Sequence, residues 1–112
     1  MLAGLFDSNK EYALKEFEYK SNKVPYYVSS AASTDFDNTG EVLWPAAINL
    51  SKYIIDNSDQ FIKASILELG SGSGLCSLVA SLYSQYIKAT YGDQNVLKLL
   101  EKNMKNFCKC QY

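Results

Sequence analysis

An α/β fold built on a parallel sheet is the expectation from this sequence, and three observations carry it. An apolar run of strand length, Ser65-Ile66-Leu67-Glu68-Leu69, leads directly into Gly70-Ser71-Gly72-Ser73-Gly74. Leu75, Leu78, Val79, Leu82 and Tyr86 then recur on one helix face. A second short strand candidate and a second helical pattern follow. The order strand, glycine turn, helix, strand, helix makes the two strands parallel, joined by a right-handed crossover.

The elements ahead of this unit read as follows. Residues 7–16 suit a short helix with Asp7 or Ser8 as N-cap. Residues 17–20 and 24–29 are rich in aromatic and β-branched side chains, and Ser21-Asn22-Lys23 between them has turn chemistry, so a β-hairpin is expected. Residues 30–40 are small and polar, end in Asn38-Thr39-Gly40, and read as a loop. Pro45 stands where a first helical turn tolerates it. Ala46, Ala47, Leu50, Tyr53 and Ile54 continue at helical spacing, which predicts an amphipathic helix over 45–57. Past the glycines, residues 87–90 are the second strand. Gly92-Asp93 then opens a last helix with Asp93 as N-cap and Val96, Leu100, Met104 and Phe107 as its buried stripe.

Composition narrows the function. The chain has 112 residues, 47% hydrophobic and 21% charged, which is an ordinary globular balance rather than a disordered one. The net charge is -1 and all 11 basic residues are lysines, so no arginine fork is present for phosphate or guanine. Neither a nucleic acid nor an acidic membrane is expected as partner. There is no histidine, which excludes Ser-His-Asp and Cys-His catalysis and histidine-ligated metal within the chain. Three cysteines, Cys76, Cys108 and Cys110, with no targeting pattern at Met1-Leu2-Ala3-Gly4-Leu5-Phe6, suggest a reducing compartment and a cytoplasmic location. Cys108-Lys109-Cys110 lacks a second ligand pair, so no zinc site is expected. No apolar run approaches the roughly 18 residues that span a bilayer.

The chemistry-bearing stretch is Glu68-Leu69-Gly70-Ser71-Gly72-Ser73-Gly74. Gly70 allows a tight turn off the strand, and Gly72 lets the backbone approach a ligand with no Cβ in the way. Ser71 lies between them in the same wall. Gly74 permits close packing where the next helix begins, and free N–H donors there face a ligand. A dinucleotide fingerprint needs G-x-G-x-x-G, but position 75 is Leu75. The spacing found is G-x-G-x-G with an acid two residues before the first glycine, which fits S-adenosylmethionine better. That cofactor brings no pyrophosphate to neutralise, so the lack of arginine is no handicap. The competing reading is a turn that packs helix on strand without a ligand, with Glu68 capping the neighbouring loop.

Thr39-Gly40-Glu41-Val42-Leu43-Trp44-Pro45-Ala46-Ala47, then Leu50 and Tyr53, then the segment from Leu67 to Leu75, together resemble methyltransferase family 16. The resemblance covers residues 39–106 and, loosely, the hairpin. It implies the N-terminal part of a Rossmann-like, seven-stranded methyltransferase sheet preceded by a β-hairpin. Residues 1–38 would be the helix and hairpin extension, and 39–112 a partial S-adenosylmethionine-binding domain. It implies a protein-lysine methyltransferase whose substrates are proteins of the chaperone, AAA ATPase or translation-factor type. Trp44 would contact the cofactor, and Gly70 and Gly72 would form the close backbone wall. No catalytic residue is assigned.

Two departures from the family pattern stand out. Members usually end the second strand with a run like Thr-Asp-Gly-Asp, whose first acid holds the ribose; this chain reads Thr90-Tyr91-Gly92-Asp93. Tyr91 therefore takes the acid's position, and Asp93, two residues on, either reaches the ribose or caps the last helix. The sequence also holds only two of the seven strands, so a truncated domain is expected, with apolar surface on Leu67, Leu69, Leu78 and Leu82 uncovered. The alternative function is a non-catalytic interaction module, or inactive fragment, of the same fold.

Overall fold

The computed structural model describes residues 12–29 and 43–112. The loop expected over 30–40 and the first part of the expected N-terminal helix lie outside these residues. The rest of that helix is corrected. Residues from Tyr12 onward form strand β1 (Tyr12–Tyr19), paired antiparallel with β2 (Asn22–Ser29). The hairpin is thus longer than the aromatic clusters indicated, and its turn is tighter. Lys20 and Ser21 make the whole connection, both with positive φ (48° and 69°), the pattern of a primed two-residue turn. Asn22 supports it by donating to the carbonyls of Tyr19 and Lys20. Phe17, Val24 and Tyr26 are the buried residues on one face of the ribbon. Pro25 is admitted because each strand of a two-stranded ribbon has a free edge.

Helix α1 (Pro45–Asp56) has Trp44 as its extended N-cap and Asn57 as its C-cap, and it buries Ser51, Ile54 and Ile55. A 3-10 turn at Ser58–Gln60 leads on to β3 (Ser65–Glu68). Helix α2 (Leu75–Ala80) follows the glycine turn and is buried on every side. It is shorter than the apolar spacing predicted. Ser81 and Ser84 turn their hydroxyls back onto the carbonyls of Leu78 and Ala80 (2.6 and 2.9 Å), which breaks the helix there. Tyr86 consequently belongs to β4 (Tyr86–Ala89) rather than to the helix. Strands β3 and β4 pair in parallel, Ile66 opposite Ile87 and Glu68 opposite Ala89, as expected. Helix α3 (Gln94–Phe107) begins at Asp93, whose carboxylate accepts from the N–H groups of Asn95 and Val96 (2.8 and 3.2 Å). After α3, Gln111 makes an isolated parallel bridge to Tyr86.

The core lies between the glycine-turn unit, the hairpin and α3. Leu75, Leu78, Val79, Ile87 and Leu99 are fully enclosed. Leu67 and Leu69 are exposed as expected, but Leu78 is buried by α2's own neighbours rather than left open. No helix among the described residues is long and apolar enough to cross a membrane.

One polar residue joins three of these parts. Asn103, fully buried on α3, accepts from the N–H of Tyr27 (2.6 Å) and donates to the carbonyls of Tyr27 (2.9 Å) and Ser73 (2.7 Å). Three such bonds at about 1 kcal/mol each, and buried partners left unmet, make Asn103→Ala cost about 3 kcal/mol or more. Urea unfolding measures this, and amide exchange at Tyr27 should accelerate with it. A loss below about 1 kcal/mol would show that water replaces the side chain without penalty.

Candidate functional site

The end of β3, the glycine turn, the start of α1 and the end of β4 enclose one cleft of about 310 Å³. Of the seven residues that the sequence nominates, Trp44, Glu68, Gly70, Ser71, Gly72 and Tyr91 all line it. Asp93 does not; its carboxylate is engaged as the cap of α3. The lining that sequence reasoning did not single out is mostly apolar, including Leu43, Leu50, Leu75 and Cys76.

The turn is shaped by its glycines. Gly70, Gly72 and Gly74 all have positive φ (68°, 57° and 96°). A Cβ on Gly70 would meet nothing within 4 Å, so that position opens onto free space and is glycine for its backbone angle. A Cβ on Gly74 would lie 2.6 Å from Cδ1 of Leu100, so there both the angle and the close approach of α3 demand glycine. Ser71 stitches the turn to β4. Its N–H donates to the carbonyl of Thr90 (2.8 Å), its hydroxyl donates to the carbonyl of Glu68 (3.2 Å), and the same oxygen accepts from the N–H of Thr90 (3.2 Å).

Glu68 closes β3 with its carboxylate in the cleft wall. Ser77, on the first turn of α2, donates to its Oε1 at 2.5 Å. Burial pushes the Glu68 carboxyl above the usual carboxylate value, and the Ser77 hydrogen bond opposes that shift. The neighbouring Cys76 thiol is pushed up to about 11 by burial and by the Glu68 charge. It donates to the carbonyl of Ala47 (3.3 Å) and accepts from Ser51 (3.6 Å), so it acts as a packed, inert thiol tying α2 to α1. Trp44 lines the cleft and is 54% exposed rather than buried in the core. A carboxylate, a backbone wall without side chains and an apolar flank with an aromatic ring suit a small ligand with a cationic and an apolar part.

A family model described as lysine methyltransferase matches residues 30–109. The chain belongs to the lysine methyltransferase family. It is 33% identical over 100 residues to an uncharacterized protein of Dictyostelium discoideum, covering 88% of this chain and 27% of that protein. To methyltransferase-like protein 22 of Mus musculus it is 29% identical, covering 69% of this chain and 20% of that one. To the protein-lysine methyltransferase METTL21E of Bos taurus it is 38% identical, covering 48% and 19%. The chain thus spans roughly a fifth to a quarter of the length of these curated relatives.

In this member of the lysine methyltransferase family Ser77 is the polar partner that sequence reasoning missed. Its signal was a serine on the first turn of the helix after the glycines, within a run otherwise apolar. The raised Glu68 carboxyl has a consequence for stability. A carboxyl with a raised folded-state value favours folding when protonated. That contribution is full below its ordinary 4.5 and is lost as pH rises through the raised value. Glu68→Gln buries no charge, so its stability relative to the native chain should improve between about pH 4 and pH 7. Ser77→Ala, which removes the bond to the charged form, should show the opposite trend. Urea midpoints across that range measure both, and pH-independent differences would contradict the assignment.

Proposed function

We propose that this chain carries the methionine-side half of an S-adenosylmethionine site in a protein-lysine N-methyltransferase. The observation that carries the reading is the gathering of Trp44, Glu68, Gly70, Ser71, Gly72 and Tyr91 around one cleft from three separate stretches of sequence. Residues 39–112 would be the cofactor-binding part, a portion of a Rossmann-like seven-stranded sheet, and residues 1–38 an N-terminal extension of it. The cleft lining fits the cofactor on chemical grounds. Glu68 offers a carboxylate to the ammonium group, the open side of Gly70 leaves room for the chain of the ligand, and Trp44 and Leu50 give an apolar flank. When bound, the cofactor supplies a methyl group on a sulfonium, electrophilic toward a neutral lysine amine. The contribution of these residues is to bind and orient it, since proximity and alignment account for much of such a transfer.

Tyr91 lines the cleft and would take the ribose side of the site. A phenol makes one good hydrogen bond there, where a carboxylate accepts two. Asp93 offers no substitute while it caps α3. The substrate would be a lysine-bearing protein, of the chaperone, AAA ATPase or translation-factor class that the family resemblance implies, in the cytoplasm.

Calorimetric titration of S-adenosylhomocysteine tests the reading. Gly72→Val puts a branched side chain on the cleft wall at a positive φ, so binding should be lost. Tyr91→Asp should tighten binding on the order of tenfold or more, because charge-assisted bonds to hydroxyls contribute about 1.5–3 kcal/mol each. Equal affinity in the native chain and Gly72→Val would remove the cofactor reading of the turn.

A further inference from the structure

Two of the three cysteines meet on the far side of α3's last turn, outside the cleft. Cys108 is the C-cap of α3, Cys110 follows two residues later, and their sulfurs are 4.0 Å apart. Both are free and half-buried. The backbone around them is pinned from both sides. The N–H of Cys108 donates to Met104 O (3.1 Å) and that of Lys109 to Ser81 Oγ (3.0 Å). Gln111 donates to Gln85 O (3.3 Å) and accepts from the N–H of Ile87 (2.9 Å). The thiol pair is therefore presented on an anchored loop between a helix end and a strand edge.

We propose that Cys108 and Cys110 bind one copper(I) ion through both sulfurs. A separation of 4.0 Å is about twice the ~2.05 Å of a disulfide bond. It is close to the span of two metal–thiolate bonds of ~2.3 Å meeting at a wide angle. Closing the pair to a disulfide would pull against the hydrogen bonds that pin the loop, whereas a bridging ion needs little movement. Thiolate softness selects copper(I), which accepts low coordination numbers, over harder divalent ions. Zinc needs four ligands; the chain has no histidine, and among the described residues no group of three or more metal-ligating side chains gathers. The step is a ligand exchange. Two S–H bonds break, two S–Cu bonds form, two protons pass to solvent, and no electron changes hands.

The test is an anaerobic titration of the reduced chain with copper(I) held by a competing chelator, bicinchoninate. One copper per chain should transfer. Cys76→Ser should keep it, and Cys108→Ser and Cys110→Ser should each lose it. In the unmutated chain, which avoids any folding defect of the variants, copper(I) should shield Cys108 and Cys110 from iodoacetamide. No transfer to the reduced chain, binding that survives either serine substitution, or loss with Cys76→Ser would overturn the proposal. Ready disulfide formation with peroxide by a reduced chain that ignores copper(I) would identify a redox pair instead.

Discussion

The buried carboxamide of Asn103 is the constraint on which the remaining arrangement depends. It meets both the N–H and the carbonyl of Tyr27, as a neighbouring strand would, and so closes the outer edge of the hairpin against α3. Its remaining hydrogen goes to the carbonyl of Ser73, inside the glycine turn. The same helix brings Leu100 to the spot that a side chain on Gly74 would need. Helix α3 contributes no residue to the cleft, yet it fixes the turn that forms the cleft wall. Surface contacts between the hairpin and α1, such as the exposed Lys20–Asp56 pair at 2.6 Å, add little beside this.

From that anchor the cleft is assembled by short polar links. Ser71 ties the turn to Thr90 at the end of β4, and Ser77 holds the Glu68 carboxylate from α2. The result is a charged group held in a partly apolar wall before any ligand arrives. Such pre-positioning raises the cost of the charged form in the free chain and lowers the cost of binding a cationic group there. Membership in the lysine methyltransferase family and this wall chemistry point the same way.

Much of this was legible in the sequence because it rests on local signals. The glycine spacing gave the turn, the strand–helix order gave the parallel pair of β3 and β4, and Asp93 was readable as a cap of α3. Where the reading failed, the deciding contacts were non-local or ran against periodicity. The apolar spacing continued through Leu82 to Tyr86, but Ser81 and Ser84 end α2 by bonding its carbonyls. Tyr12 to Glu16 suit a helix by propensity, and pairing with β2 makes them a strand. Asn103 looks like an ordinary polar helix residue until the hairpin lies beside it, 76 residues distant in sequence. Ser77 gained meaning only when α2 folded back on Glu68.

The most direct check of where the ligand lies is nuclear magnetic resonance of the 15N-labelled chain titrated with S-adenosylhomocysteine. Shift changes should concentrate at the Trp44 indole and the amides of Gly70, Ser71, Gly72 and Tyr91, which share the cleft. The amides of the last turn of α3 and of Cys108 to Cys110, outside that cleft, should stay where they are. Shifts clustered on the hairpin or the outer face of α3, or no shifts at saturating ligand, would contradict a cofactor site built on the glycine turn.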